Sequence, residues 1–167
     1  MDNYGRLIEY ALKLVSGKRY TCFEMRKKLE NFCKKHKEKF KEIENAKFDE
    51  KALMQKVMER LAELKYLDDE KFVQDYISER VKLRPRGKFL INRELKIKGI
   101  EEEVLEKSFS EVEIPEEEMA MELIEKKKRA WEKYEIRKKR NKAFVFLSSK
   151  GFRRDAIYKA VDSYYNL

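Results

Sequence analysis

Glycine and proline are scarce in this chain, 5 and 2 among 167 residues, and strict alternation of apolar and polar residues is almost absent. So few breakers and so little period-two patterning exclude a sheet-rich fold, while long Lys/Glu/Leu/Ile runs with a period near 3.6 point to helices. Cysteine occurs twice and histidine once. Cys22 and Cys33 belong to one expected helix, where their spacing of 11 residues corresponds to about 16 Å. That is too far for a disulfide, and neither opens a CxxC pair, so two reduced, packed thiols are expected. His36 stands among lysines without a nearby thiol pair and is expected at the surface rather than in a metal site. No glycine pattern forms a dinucleotide fingerprint or a nucleoside triphosphate loop, and no nucleophile/base pair can be named. The chain is therefore read as a non-enzyme without catalytic residues, cofactor or metal. It also lacks a membrane-length apolar run and a secretory apolar region, which leads to the expectation of a soluble, cytoplasmic protein. A monomer is expected.

What the chain has instead is apolar residues in helical phase and charge of both signs. Hydrophobic residues make up 42 %, enough for a continuous core when striped, and 41 Lys/Arg stand against 32 Asp/Glu for a net charge of +9. This balance favours an anionic partner or an acidic protein face. The stretch KYLDDEKFVQDYISERVKLRPRGKFLINRELKIKGI, Lys65 to Ile100, has the clearest pattern. Asp68 suits a helix N-cap, Glu70 adds first-turn charge, and Phe72, Val73, Tyr76, Ile77 and Val81 recur at helical spacing. Pro85 and Gly87 interrupt this helix. Phe89, Leu90, Ile91, Leu95 and Ile97 then line a second one, which Gly99 can close with a left-handed C-cap. Ile100 and Leu105 have the spacing of a hydrophobic staple for a third helix starting near Glu101.

That staple recurs. Phe48, Ile100 and Phe152 precede helix starts at intervals of 52 residues, Val57 answers to Phe109 and Val161, Leu95 to Leu147, and Gly99 to Gly151. Three sets of three helices follow, each too small to bury its stripe alone, so neighbouring sets should stack. The expected fold is all-α: three tandem three-helix modules, residues 1–65, 66–113 and 114–167, forming an elongated or curved array.

In chain order, the first helix should span about Tyr4 to Val15, with Leu7, Ile8, Ala11, Leu12 and Val15 inward and Ser16 and Gly17 breaking it. Thr21 and Glu24 form a capping box for the second, whose apolar residues are Phe23, Met25, Leu29, Phe32 and Cys33. Leu29 and Phe48 are 19 residues apart where later sets have five, so an insertion of about 14 residues lies near 34–47. It reads as a solvated, salt-bridge-laced spacer, although Phe40 and Ile43 could extend the helix or make a separate turn. Asp49 to about Leu64 forms the next helix, presenting Leu53, Val57, Leu61 and Leu64. Glu101 to Glu118 holds nine acidic residues and one lysine, a strongly acidic face. Pro115 can sit early in the following helix, which carries Met119, Leu123, Ile124, Ala130 and Trp131 toward a joint near Tyr134. Phe144, Phe146 and Leu147 come next, and Ala156, Ile157, Ala160, Val161 and Tyr164 stripe the last helix. Met119, Met121, Trp131, Tyr164 and Tyr165 read as core rather than recognition surface.

Two basic stretches are the strongest functional signal. Ser78 to Ile100 holds eight Lys/Arg against two Glu: Arg80, Lys82, Arg84, Arg86, Lys88, Arg93, Lys96 and Lys98 around a helix joint. Lys126 to Lys142 holds ten against two and includes Arg129, Arg137, Lys138, Lys139 and Arg140. Arginine can grip phosphate or carboxylate with two hydrogen bonds, whereas lysine offers a mobile point charge. Neither stretch contains a base-reading motif. A solvated face, a nucleic acid and an acidic protein groove all fit.

YLDDEKFVQDYISER from Tyr66 to Arg80, followed by Gly87, RELKIKG from Arg93 to Gly99 and then Ile100, resembles the central module of the RecX regulatory proteins, bacterial modulators of the RecA recombinase. Tyr20 to Leu29 is similar to that family's first-module helix and KGF before Arg153 to its last module, so the resemblance spans nearly the whole chain. Tyr66, Leu67, Asp68, Asp69, Phe72, Tyr76, Arg80, Gly87, Leu95, Gly99 and Ile100 match the family pattern, most of them as structural residues. The resemblance implies a modular, curved, helical regulator that associates with RecA or its DNA filament and limits filament assembly or strand exchange. Its basic patches would meet acidic subunit faces and DNA phosphates. The alternative is a basic helical-repeat protein whose primary target is single- or double-stranded DNA. The insertion after Leu29 departs from the family pattern, as does the third module, where a short joint between Trp131 and Phe144 is hard to place.

Overall fold

A computed structural model describes residues 2–41 and 49–165, and among these the chain forms ten α-helices and no strand. They are α1 (Asn3–Gly17), α2 (Cys22–Lys35), α3 (Lys37–Lys41), α4 (Glu50–Glu63), α5 (Asp69–Lys82), α6 (Lys88–Ile97), α7 (Glu102–Glu111), α8 (Glu116–Trp131), α9 (Ile136–Ser149) and α10 (Arg154–Tyr164). Apart from the five-residue α3, they fall in chain order into three sets of three. The fold is thus all-α and built of three-helix modules. The helix starts follow the sequence signals. Asp2 accepts from Gly5 N, Thr21 and Glu24 exchange both capping-box hydrogen bonds, and Asp68 accepts from Lys71 N at 2.9 Å.

By its internal contacts the chain divides into two compact units, Met1–Phe72 with Lys98–Val104 and Val73–Ile97 with Leu105–Leu167. In the first, α1, α2 and α4 pack on one another around Leu7, Ala11, Met25, Leu29, Cys33, Val57 and Leu61. Burying a leucine side chain of this kind contributes about 1.5–3 kcal/mol. Four expectations change here. α1 runs through Ser16 and Gly17 instead of stopping before them. Leu12 and Leu64 are exposed, because the buried stripe of α1 is narrowed to Leu7 and Ala11 and Leu64 sits past the end of α4. Leu53 is only partly buried, its place in the core taken by Met54, Val57 and Met58. Phe23 turns away from the core toward Gly99, whose φ of +76° and lack of a Cβ let the ring lie against the backbone.

The insertion is more than a solvated spacer. Phe40, in α3, is buried in the first core, and Asn3 Nδ2 donates to its carbonyl at 3.0 Å. Phe32 bridges the edge of this arrangement, stacked on Tyr10 at 4.1 Å and edge-on to Phe40. His36 ends α2 and lies partly buried beside Phe32. The expected staple at Phe48 and the alternatives for Ile43 lie outside the described residues. Both cysteines are free thiols, with burial pushing each up to about 11, reinforced by Asp69 at Cys22 and by Glu50 at Cys33.

In the second unit α10 packs chiefly against α8 and also against α9. Its core joins Met119, Ala120, Leu123 and Ile124 to Ala143, Leu147, Phe152, Ile157, Ala160 and Val161. The joint that was hard to place falls at 132–135, between α8 and α9. Phe152 and Ile157 are both buried, as their staple spacing implied, and so are Ile100 of the first unit and Leu105 of the second, each within its own unit. Gly151, like Gly99, ends its turn in the left-handed region, with φ of +78°.

Candidate functional site

The basic residues of the second unit are positioned by a backbone junction. Pro85 and Gly87 stop α5 and start α6, and this joint reaches the turn after α9: Gly87 N donates to the Lys150 carbonyl at 2.9 Å and Phe89 N to the Gly151 carbonyl at 3.1 Å. The approach needs two glycines, since a Cβ on Gly87 would overlap the Gly151 backbone and one on Gly151 would overlap Leu90. One carboxylate then secures the junction. Glu116, at the start of α8 and only 3 % exposed, accepts from Lys88 N at 2.7 Å, Arg153 N at 3.3 Å and Arg153 Nε at 2.6 Å. It thereby serves the first turn of α6 and the N-cap of α10 together, a favourable place for negative charge at both helix starts.

The cations of the first basic stretch separate into different roles. Arg80, with a side chain only 14 % exposed, lies over the Tyr76 ring and donates from Nε to Glu94 at 2.8 Å, while Tyr76 OH donates to the same carboxylate at 2.8 Å. Burial raises the Glu94 pKa, but the Arg80 and Tyr76 hydrogen bonds and the Arg80 charge outweigh it and leave the group lowered. Burial and Glu94 push Tyr76 up to about 12. Lys98 falls in the first unit, where its ammonium pairs with Glu24 at 2.8 Å. Lys82, Arg84, Lys88, Arg93 and Lys96 are exposed, and Lys88 Nζ lies 5.1 Å from the Phe109 ring centre. Beside them stand apolar side chains open to solvent: Leu83 (76 %), Phe89 (65 %) and Ile97 (71 %). Arg86 is half-buried and near enough to Glu94 to help lower its pKa.

The second basic stretch is organised around aromatic rings. Lys133, Lys138 and Lys142 place their ammonium groups 5.4, 5.1 and 4.5 Å from the centre of Tyr134. Arg140 donates to Asp162 at 2.7 Å, and Arg137 lines a shallow pocket with Arg140, Phe144 and Tyr158. Arg129 and Lys139 border a cavity of about 820 Å³ that also includes Trp131, Tyr164 and Tyr165. Trp131 and the two tyrosines are partly buried against the second core, as expected. Tyr164 OH donates to Glu125 and is pushed up to about 12 by burial and that carboxylate.

Three residues with clear roles were not singled out from the sequence. Glu116 is one of nine acids in Glu101 to Glu118, Lys127 one of ten cations in the second basic stretch, and Lys150 lies outside both stretches. Lys127 and Lys150 hold their ammonium groups 5.4 and 5.6 Å from one ring, Phe146. Burial lowers the Lys150 pKa, and Arg86 and Lys127 lower it further. The pairing of Gly87 with Gly151 was the available clue, because two glycines at joints can mark two backbones in close approach.

Among the described residues no helix is long and apolar enough to cross a membrane, and no group of three or more His, Cys, Asp or Glu side chains could hold a metal ion. Residues 68–108 match the RecX second three-helix domain, and residues 115–161 match the third. The regulatory protein RecX of Chlorobium phaeobacteroides is 31 % identical over 128 residues, which are 75 % of this chain and 81 % of that protein. The regulatory protein RecX of Bacillus cytotoxicus is 31 % identical over 109 residues, but the match spans 64 % of this chain and only 40 % of that longer protein. A crystal structure of RecX from Lactobacillus salivarius superposes with a TM-score of 0.78, covering 98 % of this chain and 97 % of that one at 20 % identity, a likeness of fold. Two consecutive domain matches and a relative covered over most of its length agree with the helical modules: the chain belongs to the RecX family of regulatory proteins.

Proposed function

We propose that this regulator binds the RecA recombinase or its DNA filament, acting as a cytoplasmic monomer that restrains filament assembly and strand exchange. The observation that carries the reading is the exposed surface of the α5–α6 segment, where Lys82, Arg84, Lys88 and Arg93 accompany uncovered Leu83, Phe89 and Ile97. Cations alone would suit any polyanion. Cations with exposed apolar side chains suit a protein face that offers carboxylates and an apolar contact, where charge steers the encounter and desolvated apolar area holds it.

The second reading, DNA as the primary target, is favoured by the gathering of Lys133, Lys138 and Lys142 round Tyr134. Binding to RecA alone, to single-stranded DNA alone and to the assembled filament, at matched salt, separates the two. Recombinase regulation requires the filament or RecA to bind more tightly than naked DNA and with a shallower salt dependence. Equal affinity for naked DNA and filament, with the same steep salt slope, would replace it with the DNA reading.

A further inference from the structure

We infer that Arg86, Lys127 and Lys150 together form a receptor for a nucleic-acid phosphodiester, with the Phe146 ring as its floor. The three come from the α5–α6 joint, α8 and the end of α9, and the sequence separates them by 41 and 23 residues. The glycine junction brings them together: Gly87 N bonds to the carbonyl of Lys150 itself, so the residue beside Gly87 is delivered to the Lys150 backbone. Lys127 and Lys150 then converge on Phe146, 5.4 and 5.6 Å from its centre, and Trp131 meets the same ring edge-on at 5.9 Å. Attraction of each ammonium to the ring face holds both side chains in place before any ligand arrives.

Converging like charges is unfavourable unless something offsets it. The charges acting on Lys150 are those of Arg86 and Lys127, both cationic, and among the described residues no ion pair involves Lys127 or Lys150. Partial burial adds to the cost, since both burial and the neighbouring cations push the Lys150 pKa down. An anion seated among the three would offset this repulsion. A phosphodiester fits better than a single side-chain carboxylate. Both offer a guanidinium fork two oxygens that share one charge, but only along a nucleic-acid strand do neighbouring phosphates repeat that charge at the lysines. The chemistry is shared by single and double strands, and the assay below tells them apart.

The inference rests on the regulatory reading above, for which it names the nucleic-acid contact, and it is tested without the recombinase. The full chain is titrated with labelled single-stranded and duplex oligonucleotides of equal length across a salt series, beside Arg86→Gln, Lys127→Gln, Lys150→Gln and the triple variant. Lys56→Gln, an exposed lysine of α4, is the charge-matched control. Each cluster substitution should flatten the slope of log affinity against log salt by about 0.7 on single strands, or about 0.9 on duplex, and the triple variant by about 2 to 3. Whichever strand shows the loss is the phosphate source. Unchanged slopes on both, or an equal loss in Lys56→Gln, would overturn the site. Circular dichroism melts keep folding separate: a triple variant that melts as wild type and still binds both strands as wild type also overturns it. Loss of RecA binding with intact DNA binding would assign the cluster to an acidic protein face and sink the phosphate assignment. If the wild type has no effect on filaments while cluster-dependent DNA binding is seen, the regulatory reading fails and the site stands.

Discussion

The two basic stretches look alike as sequence and differ as structure. In Ser78 to Ile100, acids that are distant in sequence take two of the cations into the fold: Glu94 holds Arg80 from 14 residues away, and Glu24 holds Lys98 from 74. In Lys126 to Lys142, aromatic rings do the organising, with Tyr134 and Phe146 gathering lysines while Arg140 finds Asp162. A carboxylate neutralises the cation it holds, whereas a ring holds a cation and leaves its charge available. The teaching is that net charge along a segment counts both kinds together. Only the partners show which cations belong to the fold and which remain for a ligand.

The comparison depends on the junction that brings the α5–α6 joint to the end of α9, so the largest effects come from breaking it. Gly87→Ala would drive a Cβ into the Gly151 backbone, which no side-chain rotation relieves. A loss of about 3 kcal/mol or more is expected in denaturant melts. Truncations of the fully buried Leu95 and Leu147 to Ala belong to the same class, at about 2–5 kcal/mol. The only partly buried Leu53 should lose distinctly less. A Gly87→Ala protein as stable as wild type would mean that the two joints do not need their close approach.

Next in size is Glu116. Replacing it with Ala removes the acceptor of Lys88 N, Arg153 N and Arg153 Nε from a buried position. A loss of about 1–3 kcal/mol is expected, with α6 and α10 both affected at their first turns. Amide hydrogen exchange at Lys88 and Arg153 is the direct check. Faster exchange at one alone would show that the carboxylate serves a single helix.

A sharper test of the difference between the stretches pairs Arg80→Met with Arg140→Met. The first breaks an enclosed network and should cost about 1–2 kcal/mol, while the second opens a half-exposed pair and should cost under about 0.5 kcal/mol. Acid dependence gives the same contrast. The folded Glu94 pKa lies below its ordinary 4.5, so its contribution is fully present above that value and is lost as the pH falls from 4.5 through the depressed folded value. Wild type should therefore lose more stability than Glu94→Gln across that window. Parallel acid melts for the two proteins would remove Glu94 as the group that holds Arg80 in place.

Local signals in the sequence carried most of the fold. The caps at Thr21 and Asp68, the breaks at Pro85 and Gly87, and the left-handed turns at Gly99 and Gly151 depend on short-range stereochemistry, which a few neighbouring residues determine. The burial of Phe40 was less legible, because its lysine-rich surroundings carry the pattern of a solvated helix and its contacts are to α1 and α2. The site was harder still. Arg80 and Arg84 are four residues apart and equally basic, yet one is held by Glu94 and the other exposed. Lys150 lies outside both basic stretches and joins Arg86 and Lys127 only through the folded junction.

The smallest expected change in stability carries the largest expected change in function. Arg84 is exposed, and Arg86 lies close to Lys150, so neutralising the pair removes no buried ion pair and relieves repulsion at Lys150, at the expense of a weaker pull on Glu94. Arg84→Gln/Arg86→Gln should therefore melt within about 0.5 kcal/mol of wild type. Under the proposed function the same protein should lose regulation of RecA filaments in assays of disassembly and strand exchange, while Cys22→Ser and His36→Gln keep it. Arg84→Gln alone divides the effect further, because Arg84 lies outside the Arg86–Lys127–Lys150 cluster. If it impairs filament regulation with its salt slope on naked DNA unchanged, the exposed face of α5–α6 addresses the recombinase protein. A double variant that still regulates filaments fully would remove this segment from the proposed contact and move it to the cations around Tyr134, whose ring-held charges are the other available surface.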